Sequence, residues 1–280
     1  MTNIHFVIVF FFIPVFFYFG LTFFNQQRIK RRWREAQQLA FGEEDRMILE
    51  EFFPPYPMLS ADEKKRLETR INYFLLHKRF KGASAITVTR EMQLLIAAHA
   101  CLIITNLEIN EVYPGLKNIY VLESSYVEKD NPINPSTGLP LHATRLGESW
   151  KRGPIILSWN DIKQSIDFPK RRHNLIIHEF SHQLDQRDGH MDGTPSLPSE
   201  QQYHLWANVM SREFTSLISK FRKNQKSDID IYGATNEAEF FAVCMEYFFT
   251  DPVNLERKHP DIFSLFTEYF KLDPRKWITH

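Results

Sequence analysis

A helix carrying two histidines four residues apart, with a glutamate directly after the first, can satisfy those side chains in few ways. Residues 174–185, NLIIHEFSHQLD, are such a segment. His178 and His182 fall one turn apart on the same helix face, so their ring nitrogens can converge on a single ion. Glu179 is rotated about 100° around the axis, at the flank of that ion, where it can take a proton from zinc-bound water. Leu175, Ile176, Ile177, Phe180 and Leu184 fill the remaining faces at helical spacing. The segment therefore reads as a buried helix presenting one polar stripe. Two imidazoles and two carboxylates on such a helix are costly to bury without a metal or hydrogen-bond partners. The pattern HExxH thus predicts a zinc site.

An open zinc site takes three protein ligands and a water. Asp188, six residues beyond His182, is one candidate for the third. Glu239 is the better one, because its carboxylate sits on an otherwise aromatic helix face, within 232–249 (YGATNEAEFFAVCMEYFF), and needs a partner there. The competing reading closes a capping box from Asn236 to Glu239. Asp185, three residues after His182, and Glu246, on the facing helix, are candidates to accept an imidazole N–H. Tyr232 is a candidate oxyanion donor, so the expected catalytic pair is Glu179 and Tyr232. Cys244 as a ligand, as in a deformylase, fits less well, since it lies on a different helix face from Glu239.

The rest of the chain supplies a scaffold. Ser60-Ala61-Asp62-Glu63 predicts a capping box opening a helix to about His77, and Thr89 opens a core helix that runs to about Ile104. His99 within it reads as a core histidine. Asn118–Leu122 and Pro154–Trp159 are short, β-branched runs of strand length, and the second is a candidate edge for an extended peptide. Between them, Glu128–Gly147 reads as a polar loop. Further helices are expected at about Glu200–Phe221 and Pro260–Phe270. The composition, 43% hydrophobic and 14% aromatic in 280 residues, supports a sizeable core. Thirty-four basic and 34 acidic residues balance, so charge gives no argument for nucleic acid as a partner. Cys101 and Cys244 read as buried hydrophobes, with no disulfide framework.

The amino-terminal stretch Ile4–Phe24 lacks charge apart from His5 when protonated, and its length matches the ~20 residues a helix needs to span a bilayer. Arg28, Lys30, Arg31, Arg32 and Arg34 follow it. The expectation is a single-pass membrane protein with its amino terminus outside. The basic cluster would touch anionic headgroups, and the main domain would be cytoplasmic. The expected division is an anchor at 1–24, a basic linker at 25–43 and a metallopeptidase domain at 44–280.

Three ordered blocks carry a resemblance: Ile176–Asp185, Gly153–Trp159 (GPIILSW), and Tyr232–Val243. Together they resemble the Mlc titration factor A family of zinc-dependent peptidases, from about Glu44 to Trp277. The resemblance implies a gluzincin-like α+β fold, mainly helical with a small sheet, similar to the catalytic domain of anthrax lethal factor. It implies His178, His182 and Glu239 as zinc ligands, Glu179 as base, a peptide or protein substrate and aminopeptidase-type activity. For the family's namesake it also implies binding of a transcriptional repressor. The alternative function is accordingly a binding protein that sequesters such a partner at the membrane.

Overall fold

The computed structural model describes residues 2–83, 86–124, 153–167 and 172–277, with side chains from residue 15 onward. The expected loop at Glu128–Gly147 lies outside them. Contacts divide the chain into two units, Met1–Ala40 and Phe41–His280.

The first unit is one long helix, α1 (Thr2–Gln38), which continues through the basic cluster without a break. Arg31 pairs with Glu35 one turn on, at 3.1 Å. The expectation of a membrane-spanning anchor, and with it a single-pass placement with a cytoplasmic domain, is corrected here. Among the described residues no helix is long and apolar enough to cross a membrane. The helix that carries the apolar stretch runs on through Asn25, Gln26, Gln27 and Arg28 into the basic cluster.

The second unit contains helices α2 (Glu43–Phe52), α3 (Pro55–Met58) and α4 (Ala61–His77), strand β1 (Arg79–Gly82), helix α5 (Arg90–Ile103), and strands β2 (Asn118–Leu122) and β3 (Ile155–Ser158). Helices α6 (Trp159–Asp167), α7 (Leu175–Asp185), α8 (Glu200–Arg222), α9 (Glu237–Thr250), α10 (Pro252–Lys258) and α11 (Pro260–Phe270) follow. The architecture is α+β and mainly helical. Its sheet has the order β1-β2-β3 with both pairs parallel, Phe80 opposite Ile119 and Ile119 opposite Ile155. Parallel neighbours need a long crossover, and α5 lies within the one from β1 to β2.

Local sequence sets the helix starts. Ser60 and Glu63 form the reciprocal capping box at the head of α4, with Ser60 N–H donating to Glu63 Oε2 at 2.9 Å and Glu63 N–H to Ser60 Oγ at 3.3 Å. At its other end the buried Lys78 ammonium donates to the carbonyls of Tyr113 and Leu116 at 2.7 and 2.9 Å, tying the chain before β2 to the start of β1.

Two aromatic layers hold α7 and α9 in place. Phe180 on α7 meets Tyr113 and Phe74, with ring centroids 4.8 and 5.7 Å away. On the far side of α9, Phe241 and Phe248 pack against Phe266 of α11, and Trp206 of α8 stacks on the same ring at 5.5 Å. Offset and edge-on contacts of this kind add about 0.5–1.5 kcal/mol each beyond the area they bury. The two helices bearing the polar residues are thus gripped from their apolar faces, leaving the polar faces toward each other.

Candidate metal centre

Each polar side chain of the site follows closely on a capped helix start. Asn174 caps α7, its side chain accepting from Ile177 N–H at 3.1 Å, and His178 comes one turn later. Asn236 caps α9, its side chain accepting from Glu239 N–H at 2.9 Å. The carboxylate of Glu239 does not turn back to close a capping box. It reaches across to α7, where Oε2 lies 3.0 Å from His178 Nε2 and 3.4 Å from His182 Nε2.

The two imidazoles face each other, with His178 Nε2 and His182 Nε2 3.3 Å apart. All three groups are buried. Four ligands placed tetrahedrally at about 2.0 Å from zinc would stand about 3.3 Å apart from one another. The three observed separations bracket that value, so the donor atoms stand where a metal's ligands should. His178, His182 and Glu239 can hold a metal ion.

Glu246, about two turns further along the same face of α9, orients the first histidine. Its Oε1 accepts from His178 Nδ1 at 2.8 Å and its Oε2 accepts from Asn174 N–H at 2.6 Å. With the proton held at Nδ1, the Nε2 lone pair is left to face the ligand cluster. His173 also reaches Glu246 Oε2, at 2.8 Å, a contact that no spacing rule in the sequence announced. Burial pushes the Glu246 carboxyl upward, but the hydrogen bonds from His173 and His178 hold it below the usual range. Glu239 behaves alike and more strongly: burial opposes ionisation, and both metal-site histidines outweigh it.

Glu179 is partly exposed, and among the described residues its carboxylate makes no hydrogen bond or ion pair. Its pKa is raised, by burial first, against the pull of His178 and His182. Tyr232 stands in the 3₁₀ turn Ile231–Ala234, which Asp230 caps through Tyr232 N–H at 2.9 Å. Its ring is 6.0 Å from that of His178, and its hydroxyl is within hydrogen-bonding reach of Glu239. Burial, then the charges of Glu239 and Glu179, raise the phenol's pKa, so it remains a proton donor at neutral pH.

Asp185 takes a different place from the one expected. Its oxygens accept from Gly193 N–H and Thr194 N–H, both at 2.9 Å, and so pin the loop after α7 instead of an imidazole. His182 Nδ1 is buried and has no partner among the described residues. Asp188 accepts from His190 N–H in the following turn, away from the ligand cluster. Cys244 is buried, free and not part of the cluster.

The sequence profile of the family described as glucose-regulated metallo-peptidase M90 matches residues 26–271. The chain belongs to that family. An uncharacterised protein of Synechocystis sp. is 36% identical over 248 residues, covering 86% of this chain and 89% of its own. Two proteins named Mlc titration factor A are similar as well. The one from Enterobacter sp. is 33% identical, with 79% of this chain and 83% of the relative covered. The one from Salmonella arizonae is 34% identical, covering 77% and 86%. The M90 match takes in both helices of the cluster, α7 and α9, and the part of α1 from Gln26 onward.

Proposed function

We propose that this M90 chain is a zinc-dependent peptidase of aminopeptidase type. The observation that carries this reading is the convergence of two imidazole nitrogens and one carboxylate oxygen at 3.0–3.4 Å, beside a carboxylate that no other described group engages. Two nitrogens and one oxygen with a position left open is a donor set that suits catalytic zinc. Zinc held by His178, His182 and Glu239 would acidify a water molecule and polarise the scissile carbonyl.

The protein's own groups do the rest. Glu179 accepts a proton from the attacking water and returns it to the departing amine. The Tyr232 hydroxyl donates to the carbonyl oxygen as negative charge gathers there. Glu246 holds His178 in the tautomer the site requires. Strand β3, at one edge of the described sheet and in contact with α7, offers free backbone groups on which an extended substrate can add.

Hydrolysis of amino-terminally free and blocked peptides, with metal content measured on the same preparations, tests this reading. Glu179→Gln is expected to retain one metal per chain and lose about 10²–10⁴-fold in rate. Unchanged hydrolysis in that variant overturns the mechanism. The name Mlc titration factor A supports a second reading, in which the chain binds a regulatory protein such as a transcriptional repressor. Partner binding that survives in Glu179→Gln while no peptide is cleaved by the wild type favours it.

A further inference from the structure

On another part of the second unit, three cations line one open cavity of about 950 Å³. Arg66 and Arg70 come from the same face of α4, one turn apart, and Lys271 from the residue that ends α11. None of the metal-centre residues contributes to the cavity.

The two guanidinium groups hydrogen-bond to neutral acceptors, and the Glu63 charge acts on Arg66 from a distance. Arg66 Nη2 donates to Asn106 Oδ1 at 3.1 Å, and Arg70 Nη2 donates to the Leu107 carbonyl at 2.9 Å. Neither makes an ion pair among the described residues. Arg70 Nε is buried and has no acceptor. A half-buried guanidinium normally finds a carboxylate, and leaving its donors unused is costly once they are withdrawn from water. Two like charges a helical turn apart add mutual repulsion. Consistently, burial and the neighbouring Arg66 both lower the Arg70 pKa.

The cluster is also braced. The Asn106 amide accepts from Arg66 and donates, through Nδ2, to the Lys271 backbone carbonyl at 2.8 Å, so one side chain links a guanidinium of α4 to the end of α11. Lys271 adopts a left-handed backbone, φ 52°, where glycine is the usual residue. The two carboxylates on the cavity wall offset only part of the charge and leave the cations in excess. Glu63 is engaged by the Ser60 N–H and hydroxyl at 2.9 and 2.7 Å. Glu108, almost fully exposed, reaches Lys271 only at 3.4 Å.

We infer that this cavity binds a small, hydroxyl-bearing phosphate monoester, its phosphate held by Arg66, Arg70 and Lys271. A phosphate dianion offers three acceptor oxygens to three cations, whereas a carboxylate is satisfied by one arginine fork. The cavity is far larger than a bare phosphate. Thr105, Asn110 and Glu108 supply polar groups along its wall that suit hydroxyls.

Calorimetric titration of the full chain with glycerol 3-phosphate, inorganic phosphate, sulfate and glycerol tests the inference. Saturable binding of glycerol 3-phosphate is expected, tighter than that of inorganic phosphate, with no heat from glycerol. Arg70→Met, and the more exposed changes Arg66→Gln and Lys271→Gln, should each weaken it about tenfold or more while the metal content stays at the wild-type level. Absence of saturable binding up to about 10 mM, or affinities unchanged in the two exposed variants, overturns it. Equal affinity for sulfate and glycerol 3-phosphate also overturns it, since it reduces the site to nonspecific anion attraction.

Discussion

Glu246 binds His178 and the start of the helix that carries it at the same time, through Oε1 to the ring at 2.8 Å and Oε2 to the Asn174 N–H at 2.6 Å. One buried carboxylate therefore sets both the orientation of a metal-site imidazole and the docking of α7 on α9. Glu246→Gln preserves the shape but weakens acceptance from Nδ1. Metal affinity is expected to fall about 10–100-fold, measured by competition with a chromogenic chelator. An affinity equal to wild type would separate Glu246 from the metal.

Glu239 offers one ligand atom to the cluster, so its loss should act on stoichiometry more than on orientation. Glu239→Ala is expected to bind less than one metal per chain under conditions that saturate the wild type, by elemental analysis after dialysis. Chelation of the wild type should lower its thermal midpoint, because an ion bound only by the folded state stabilises it by mass action. The variant should show little further loss.

Gly193 sits at φ 79°, and a Cβ there would run into the Glu237 carbonyl at the head of α9. Its N–H is taken by Asp185 and its carbonyl by Trp206 Nε1, the latter at 3.0 Å. Gly193→Ala is thus expected to lower the thermal midpoint by several degrees, with a destabilisation of about 1–3 kcal/mol. A midpoint within error of wild type would show that the loop can move aside.

His99, buried in α5 with Nδ1 bonded to the Leu95 carbonyl at 2.9 Å, has its pKa pushed down to about 4 by burial. The unfolded chain, titrating at an ordinary 6.5, then binds the proton more readily than the folded one. This contribution to stability is fully present above pH 6.5 and is lost as pH falls toward 4, with a limiting slope of about 1.4 kcal/mol per pH unit. His99→Phe, which keeps an aromatic ring against Phe53, should flatten the acid side of a urea-denaturation series. An unchanged slope assigns the acid sensitivity elsewhere.

What the sequence disclosed and what it hid follow the range of the forces involved. Caps and helical periodicity are local, and the helices begun by Ser60, Thr89 and Asn236 stand where those residues place them. The strand Asn118–Leu122 is likewise found where its β-branched run lies. Strand β1, Arg79–Gly82, escaped notice because its two cations and glycine carry no strand pattern; it is a strand by virtue of β2 alongside. Trp159 was read as the end of a strand and instead begins α6. At the site, Asp185 has the right spacing for an imidazole, but two backbone N–H groups from residues eight and nine positions later compete for it and win. The contact from His173 depends on how two helices dock, which spacing along one helix does not encode. The apolar amino-terminal stretch misled because its length and lack of charge suggested a span, while the helix that holds it runs on into polar and basic sequence.

The two parts of the metal centre are separated by 61 residues of chain, from His178 on α7 to Glu239 on α9. At about 5–20 residues per second, a ribosome making this protein exposes a two-histidine half-site for roughly 3–12 s before the carboxylate even exists. A complete set of three donors therefore forms only once α9 folds against α7, and an ion captured earlier would have the two histidines alone.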